Sequence, residues 1–66
     1  MQIQVNGTAT ELPDSATVAD LLDRLSLRRD GVAVAVNMRV IPRSQHEQTP
    51  LQPGDTVEVI QAVGGG

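Results

Sequence analysis

The chain has 66 residues, no cysteine, no aromatic residue and a formal net charge of −3. So short a chain makes one small domain that buries only about 60% of its unfolded surface; disulfide staples and thiol chemistry are excluded, and the charge argues against nucleic acid, which needs clustered Lys and Arg. No apolar run approaches the roughly 20 residues of a membrane span and no signal-peptide pattern opens the chain, so a soluble cytoplasmic protein is expected.

Met1 to Val5 alternates, with Ile3 and Val5 on one face and Gln2 and Gln4 on the other, which predicts a half-buried strand. Asn6-Gly7 predicts a type I′ hairpin turn. Thr8 to Leu12 returns as an edge strand ended by Pro13. Thr17-Val18-Ala19-Asp20 reads as a capping box. Val18, Leu21, Leu22 and Leu25 then form one apolar helical stripe. Asp20, Asp23 and Arg24 take the polar side, with an Asp20–Arg24 pair expected. Arg28 and Arg29 beyond the helix suit its dipole, and Asp30-Gly31 closes the segment.

Val32 to Val36 is a Val-Ala-Val-Ala-Val run and is expected as a strand covered on both faces or nearly so. Val40-Ile41 is a short strand stub cut by Pro42. Ser44 to Thr49 is expected as an irregular or 3₁₀ turn, and Pro53-Gly54-Asp55 as a tight turn. Thr56 to Val63 closes the chain as a strand, with Val57 and Val59 on one face and Glu58, Ile60 and Ala62 on the other. No repeat, linker or low-complexity segment interrupts this order. One helix laid on a four- to five-stranded mixed sheet is an α+β two-layer domain.

Side-chain chemistry is poorly supplied. His46 is the sole histidine and stands between Gln45 and Glu47, so it is expected in solvent and inert; a metal site needs three or four converging ligands. Ser15, Ser26 and Ser44 have no nearby base. Asp20 and Asp23 read as a solvated face rather than an acid–base pair. Lysine is absent, the basic residues being Arg24, Arg28, Arg29, Arg39 and Arg43, so a Schiff base and lysine-linked chains of the protein itself are ruled out.

What remains is the main-chain carboxylate of Gly66. Gly64-Gly65-Gly66 lack the strand–loop–helix setting of a phosphate loop. They form a slender arm that reaches roughly 10 Å when extended and can thread a narrow channel. A carboxylate at the tip of such an arm suits activation by a partner that attaches AMP from ATP. A bulky residue at Gly65 or Gly66 would block entry.

The residues then carry a resemblance. Met1-Gln2-Ile3, Thr17-Val18-Ala19-Asp20-Leu21-Leu22 and Gly31-Val32-Ala33-Val34-Ala35-Val36-Asn37 come first. Val40-Ile41-Pro42-Arg43, Leu51-Gln52-Pro53-Gly54-Asp55-Thr56-Val57-Glu58 and Val63-Gly64-Gly65-Gly66 follow in the same order. Together they make the chain similar, over essentially its whole length, to the thiamine-biosynthesis sulfur carrier (ThiS) family of ubiquitin-like β-grasp domains. The family's sporadic aromatic residues are missing here.

The resemblance implies a β-grasp domain over residues 1–63 and a flexible glycine tail at 64–66. It implies a carrier and not an enzyme. An E1-like adenylyltransferase would activate the Gly66 carboxylate, and a cysteine desulfurase or other sulfur donor would convert it to a thiocarboxylate. Thiazole synthase would then take the sulfur for the thiazole of thiamine. ATP, magnesium and, where used, zinc would belong to the partners, with no cofactor or metal bound by this chain. Gly65 and Gly64 would let the tail pass. In this fold the outer face of the closing strand is a typical partner surface, which makes Glu58, Ile60 and Ala62 the candidate docking residues, against the plainer reading that Ile60 packs under a loop or beside a neighbouring strand. Rival readings are a small subunit like that of molybdopterin synthase, a ubiquitin-like modifier of other proteins, and an interaction domain with an inert tail.

Overall fold

The computed structural model of the chain describes residues 1–27 and 31–61. Strand β1 (Gln2–Val5) turns through Asn6-Gly7 into β2 (Thr8–Glu11), and helix α1 (Val18–Arg24) follows. Strand β3 (Val32–Val36), strand β4 (Arg39–Ile41), a 3₁₀ segment (Arg43–Gln48) and strand β5 (Thr56–Gln61) complete the described order. The five strands form one mixed sheet in the order β2-β1-β5-β3-β4. The last strand is therefore the central one: β5 runs parallel to β1 and antiparallel to β3.

Local chemistry accounts for the elements. Asn6 and Gly7 have φ of 50° and 83°, the left-handed pair that a type I′ turn requires. At the helix start the Thr17 hydroxyl accepts from the Asp20 N–H at 3.2 Å, and the Asp20 carboxylate accepts from the Thr17 N–H at 2.9 Å. This closes the expected capping box and satisfies two otherwise orphaned donors. It also turns the Asp20 carboxylate back toward Thr17, and the expected pair with Arg24 is not formed among the described residues. At the other end Ser26 takes φ 59°, and Leu27 N–H and Ser26 N–H donate back to the Leu22 and Asp23 carbonyls at 2.9 and 3.0 Å. That is a Schellman ending with serine in the seat usually held by glycine. Gln52 and Asp55 close a turn through Pro53 and Gly54, with Gly54 at φ 84°. The expectations placed on Arg28, Arg29 and Asp30 lie outside the described residues.

The core lies between the helix and one face of the sheet. Val18, Leu21 and Leu22 point down from α1; Ile3, Val5, Val34, Val57 and Val59 point up from the strands, with Leu12 and Leu51 sealing the ends. Leu25 is half-buried at the margin.

Strand β3 departs from expectation. Val34 is buried and Val32 and Val36 are half-buried, but Ala35 is only half-covered and Ala33 is exposed. One helix covers one face, and the opposite face of the sheet stays open. Its valine–alanine alternation is a two-faced strand with the larger side chain turned inward, and the alanines made the outer face look apolar enough to be buried.

His46 also departs from expectation. It is 1% exposed, the single buried polar residue of the described chain. The 3₁₀ segment lies against α1. With three residues per turn, its polar neighbours Gln45 and Glu47 say nothing about which way position 46 faces. His46 Nε2 lies 3.2 Å from the Ile41 carbonyl oxygen, which can only accept, so Nε2 carries the proton and donates. Nδ1 is buried without a partner.

Candidate functional site

Strand β5 is held from both sides, and the hydrogen bonds fix which way each residue's main chain points. Toward β1, Gln4 N–H donates to the Asp55 carbonyl and Asn6 N–H to the Val57 carbonyl, both at 2.9 Å. Beyond that point β1 has turned away, and the Asn6 carboxamide takes over. It accepts from the Val59 N–H at 2.9 Å and donates to the Val59 carbonyl at 3.0 Å. Toward β3, Asn37 N–H donates to the Thr56 carbonyl at 2.7 Å, and the Asn37 carboxamide accepts from the Thr56 N–H at 2.9 Å. Odd residues of β5 thus face β1 and even residues face β3. In sequence, two residues, Ala62 and Val63, separate the strand from the glycine stretch.

Gly64, Gly65 and Gly66, the residues expected to carry the chemistry, lie outside the described residues, as do Ala62 and Val63. Of the expected docking residues, Glu58 and Ile60 are described. Both are exposed on the open face of β5, and Ile60 is 65% exposed, so it packs neither under a loop nor into a neighbouring strand.

The register extends this face beyond what the sequence indicated. Ala33 stands opposite Ile60, and Ala35 stands opposite both Glu58 on β5 and Val40 on β4. Residues opposite one another share a face, so Val40, Ala35 and Glu58 make one row and Ala33 and Ile60 the next. Val40 is 71% exposed. An apolar strip with one carboxylate therefore crosses β5, β3 and β4. The alternation of β3 held the signal, once its alanines are assigned outward.

The turn between β3 and β4 stands at the end of this strip. Asn37 and Met38 have φ of 50° and 69°, a second type I′ turn, here with methionine where the first has glycine. Met38 is 91% exposed.

Nothing else in the described residues assembles a reactive centre. No group of three or more His, Cys, Asp or Glu residues among them could hold a metal ion, and no helix is long and apolar enough to cross a membrane. The surface hollows are open, for instance one lined by Val36, Asn37, Arg39, Ile41 and Thr49, and that one gathers no base beside a nucleophile.

Comparison with known proteins agrees with this arrangement. The ThiS family model matches residues 3–66. The Sulfur carrier protein ThiS of Escherichia coli (strain K12) is 38% identical over 66 residues, which span 100% of both chains. A thiazole synthase of Paramagnetospirillum magneticum is 33% identical over the same 66 residues, which make up 20% of that protein. The crystal structure of the thiamine biosynthesis protein ThiS from Geobacter metallireducens superposes with a TM-score of 0.83 at 32% identity, covering 100% of both chains. A full-length match in sequence and in fold, with one helix on a five-stranded ubiquitin-like β-grasp sheet, shows that the chain belongs to the ThiS family.

Proposed function

We propose that this protein is a sulfur carrier of thiamine biosynthesis whose working group is the main-chain carboxylate of Gly66. The observation that carries the reading is the end-to-end similarity to a sulfur carrier of the same length. The chemistry follows from what the chain offers. A Gly66 carboxylate oxygen attacks the α-phosphorus of ATP on an E1-like adenylyltransferase, and pyrophosphate leaves. The terminal sulfur of a persulfide from a cysteine desulfurase or another donor attacks the acyl carbon, and AMP leaves. A thiol then reduces the resulting acyl disulfide, releasing the thiocarboxylate and a new disulfide. The thiocarboxylate delivers its sulfur to thiazole synthase. A cysteine-free protein carries sulfur this way because the sulfur sits on its main-chain end. ATP and magnesium serve the adenylating partner.

Gly64 and Gly65 supply an arm without Cβ atoms, narrow enough for a partner's channel. Residues 1–63 form the body that docks; Glu58, Ile60 and Ala62, with Val40, are its docking residues. Thiazole synthase as a partner has support of its own: in the Paramagnetospirillum protein a domain of this kind and a thiazole synthase are one polypeptide.

The test is an intact mass after incubation with an adenylating enzyme, ATP and a persulfide donor. Exchange of one oxygen for one sulfur is expected. An unchanged mass would leave the tail inert, and a covalent adduct on a lysine of another protein would make the chain a modifier.

A further inference from the structure

The last described residue of β5 has an unpaired main-chain edge. By the alternation fixed at Asp55, Val57 and Val59, the N–H and C=O of Gln61 point to the β1 side. No β1 residue lies there, because that strand has already turned at Asn6-Gly7, and the Asn6 carboxamide is used up on Val59. Among the described residues nothing pairs with Gln61 on this side. Among the described residues the ladder on the β1 side thus stops at Gln61, with one donor and one acceptor left unpaired there, three residues before the first glycine of the tail.

We infer that an extended segment of the adenylating enzyme pairs with this edge of β5 at Gln61 and so aims the tail. The inference rests on the carrier reading above. Adenylation requires the carboxylate to be held against the α-phosphorus within a fraction of an ångström. Three glycines offer no side chain to grip, so their alignment depends on main-chain contacts. The nearest described main-chain donor and acceptor free of the sheet are those of Gln61, and what complements an alternating N–H and C=O row is another extended backbone. Asn6 already demonstrates the geometry, since its carboxamide occupies the preceding step of the same row as a surrogate strand.

N-methylation tests this directly. The 66-residue chain is short enough for chemical synthesis with N-methyl-Gln61, which blocks the open edge without touching the β3 ladder. N-methyl-Glu11 is the control. Ile3 and Thr10 pair through hydrogen bonds, since Leu12 N–H reaches the Met1 carbonyl, so the Glu11 N–H points to the outer edge of the sheet, away from β1. ATP–pyrophosphate exchange on the adenylating enzyme is measured for the unmodified, Gln61-methylated and Glu11-methylated proteins, with thermal unfolding as the check on folding. The expected result is a drop in kcat/KM of about tenfold or more for N-methyl-Gln61, the effect of losing one to two hydrogen bonds, with no change for N-methyl-Glu11 and unchanged melting for both. Equal exchange by the unmodified and Gln61-methylated proteins overturns the inference and leaves the carrier reading standing. A loss confined to sulfur transfer at thiazole synthase overturns it as well, by moving the contact to that enzyme. Absence of exchange with the unmodified protein removes the carrier reading and this inference together.

Discussion

Asn6 and Asn37 hold the same position in two type I′ turns, and each spends its carboxamide on β5. Asn6 bonds both main-chain groups of Val59, whereas Asn37 accepts from the Thr56 N–H and donates to the Asp55 carboxylate at 3.0 Å. The two hairpins therefore fasten the central strand at its first residue and three residues further on. The Asn6 bonds to Val59 are partly buried and the Asn37 bond to Thr56 is exposed. Loss of the first leaves two main-chain groups of Val59 short of partners, so Asn6→Ala is expected to lower stability by about 2 kcal/mol and Asn37→Ala by about 1 kcal/mol. Urea unfolding of the two variants checks the order, and a larger loss for Asn37→Ala would contradict it.

Leu21 and Leu22 are both fully buried under the sheet-facing side of α1. Replacing either with alanine leaves a cavity and is expected to cost about 2–5 kcal/mol. In a domain of this size that approaches the whole stability, so the folded fraction read by circular dichroism should fall visibly at room temperature.

His46 gives a paired prediction. His46→Ala opens a cavity and removes the hydrogen bond to the Ile41 carbonyl, at an expected cost of about 2–4 kcal/mol. His46→Leu keeps most of the volume and removes the orphaned Nδ1 along with the one hydrogen bond, so it should lie within about 1 kcal/mol of the parent. Denaturant midpoints that place the two variants together would show that volume is not what His46 supplies.

Met38 occupies a left-handed position at a cost of about 1 kcal/mol over glycine, and its side chain contributes no burial in return. Met38→Gly is expected to raise stability by about 0.5–1 kcal/mol. A melting temperature that falls would mean that the side chain makes contacts in the folded chain.

For the tail, Gly65→Val or removal of Gly66 is expected to reduce thiocarboxylate formation by about a hundredfold or more while unfolding stays nearly unchanged. For the face, Ile60→Thr keeps the β-branched shape suited to a strand but replaces the exposed ethyl arm with a hydroxyl. It should weaken partner binding several-fold and leave the melting curve in place; calorimetric titration against the adenylating enzyme and against thiazole synthase measures which partner uses the face.

Much of this architecture could be read from residue order. The Asn6-Gly7 turn, the Thr17–Asp20 capping box, the Val18–Leu21–Leu22 stripe and the alternation of Val57 and Val59 each couple a local signal to one backbone geometry, and each stands as expected. What escaped depended on contacts distant in sequence. His46 is buried because a 3₁₀ segment lies against α1, and no neighbour in the chain encodes that. The exposure of Ala33 and Val40 follows from there being one helix for two sheet faces. The Asn37-Met38 turn was hidden because methionine is not a turn residue. The reach of Asn6 to Val59 spans 53 positions and has no local signature. At the candidate site, Ile60 and Glu58 were legible from alternation, while the strip they share with Ala35 and Val40 required the register.

Placing β5 in the middle of the sheet has a mechanical consequence. A pull applied along β5 at its C-terminal end would act on a strand bonded to β1 on one flank and β3 on the other. The load is then shared in shear by two ladders and two asparagine clamps at once, where an edge strand would peel away one bond at a time. The body would resist being unravelled by such a pull.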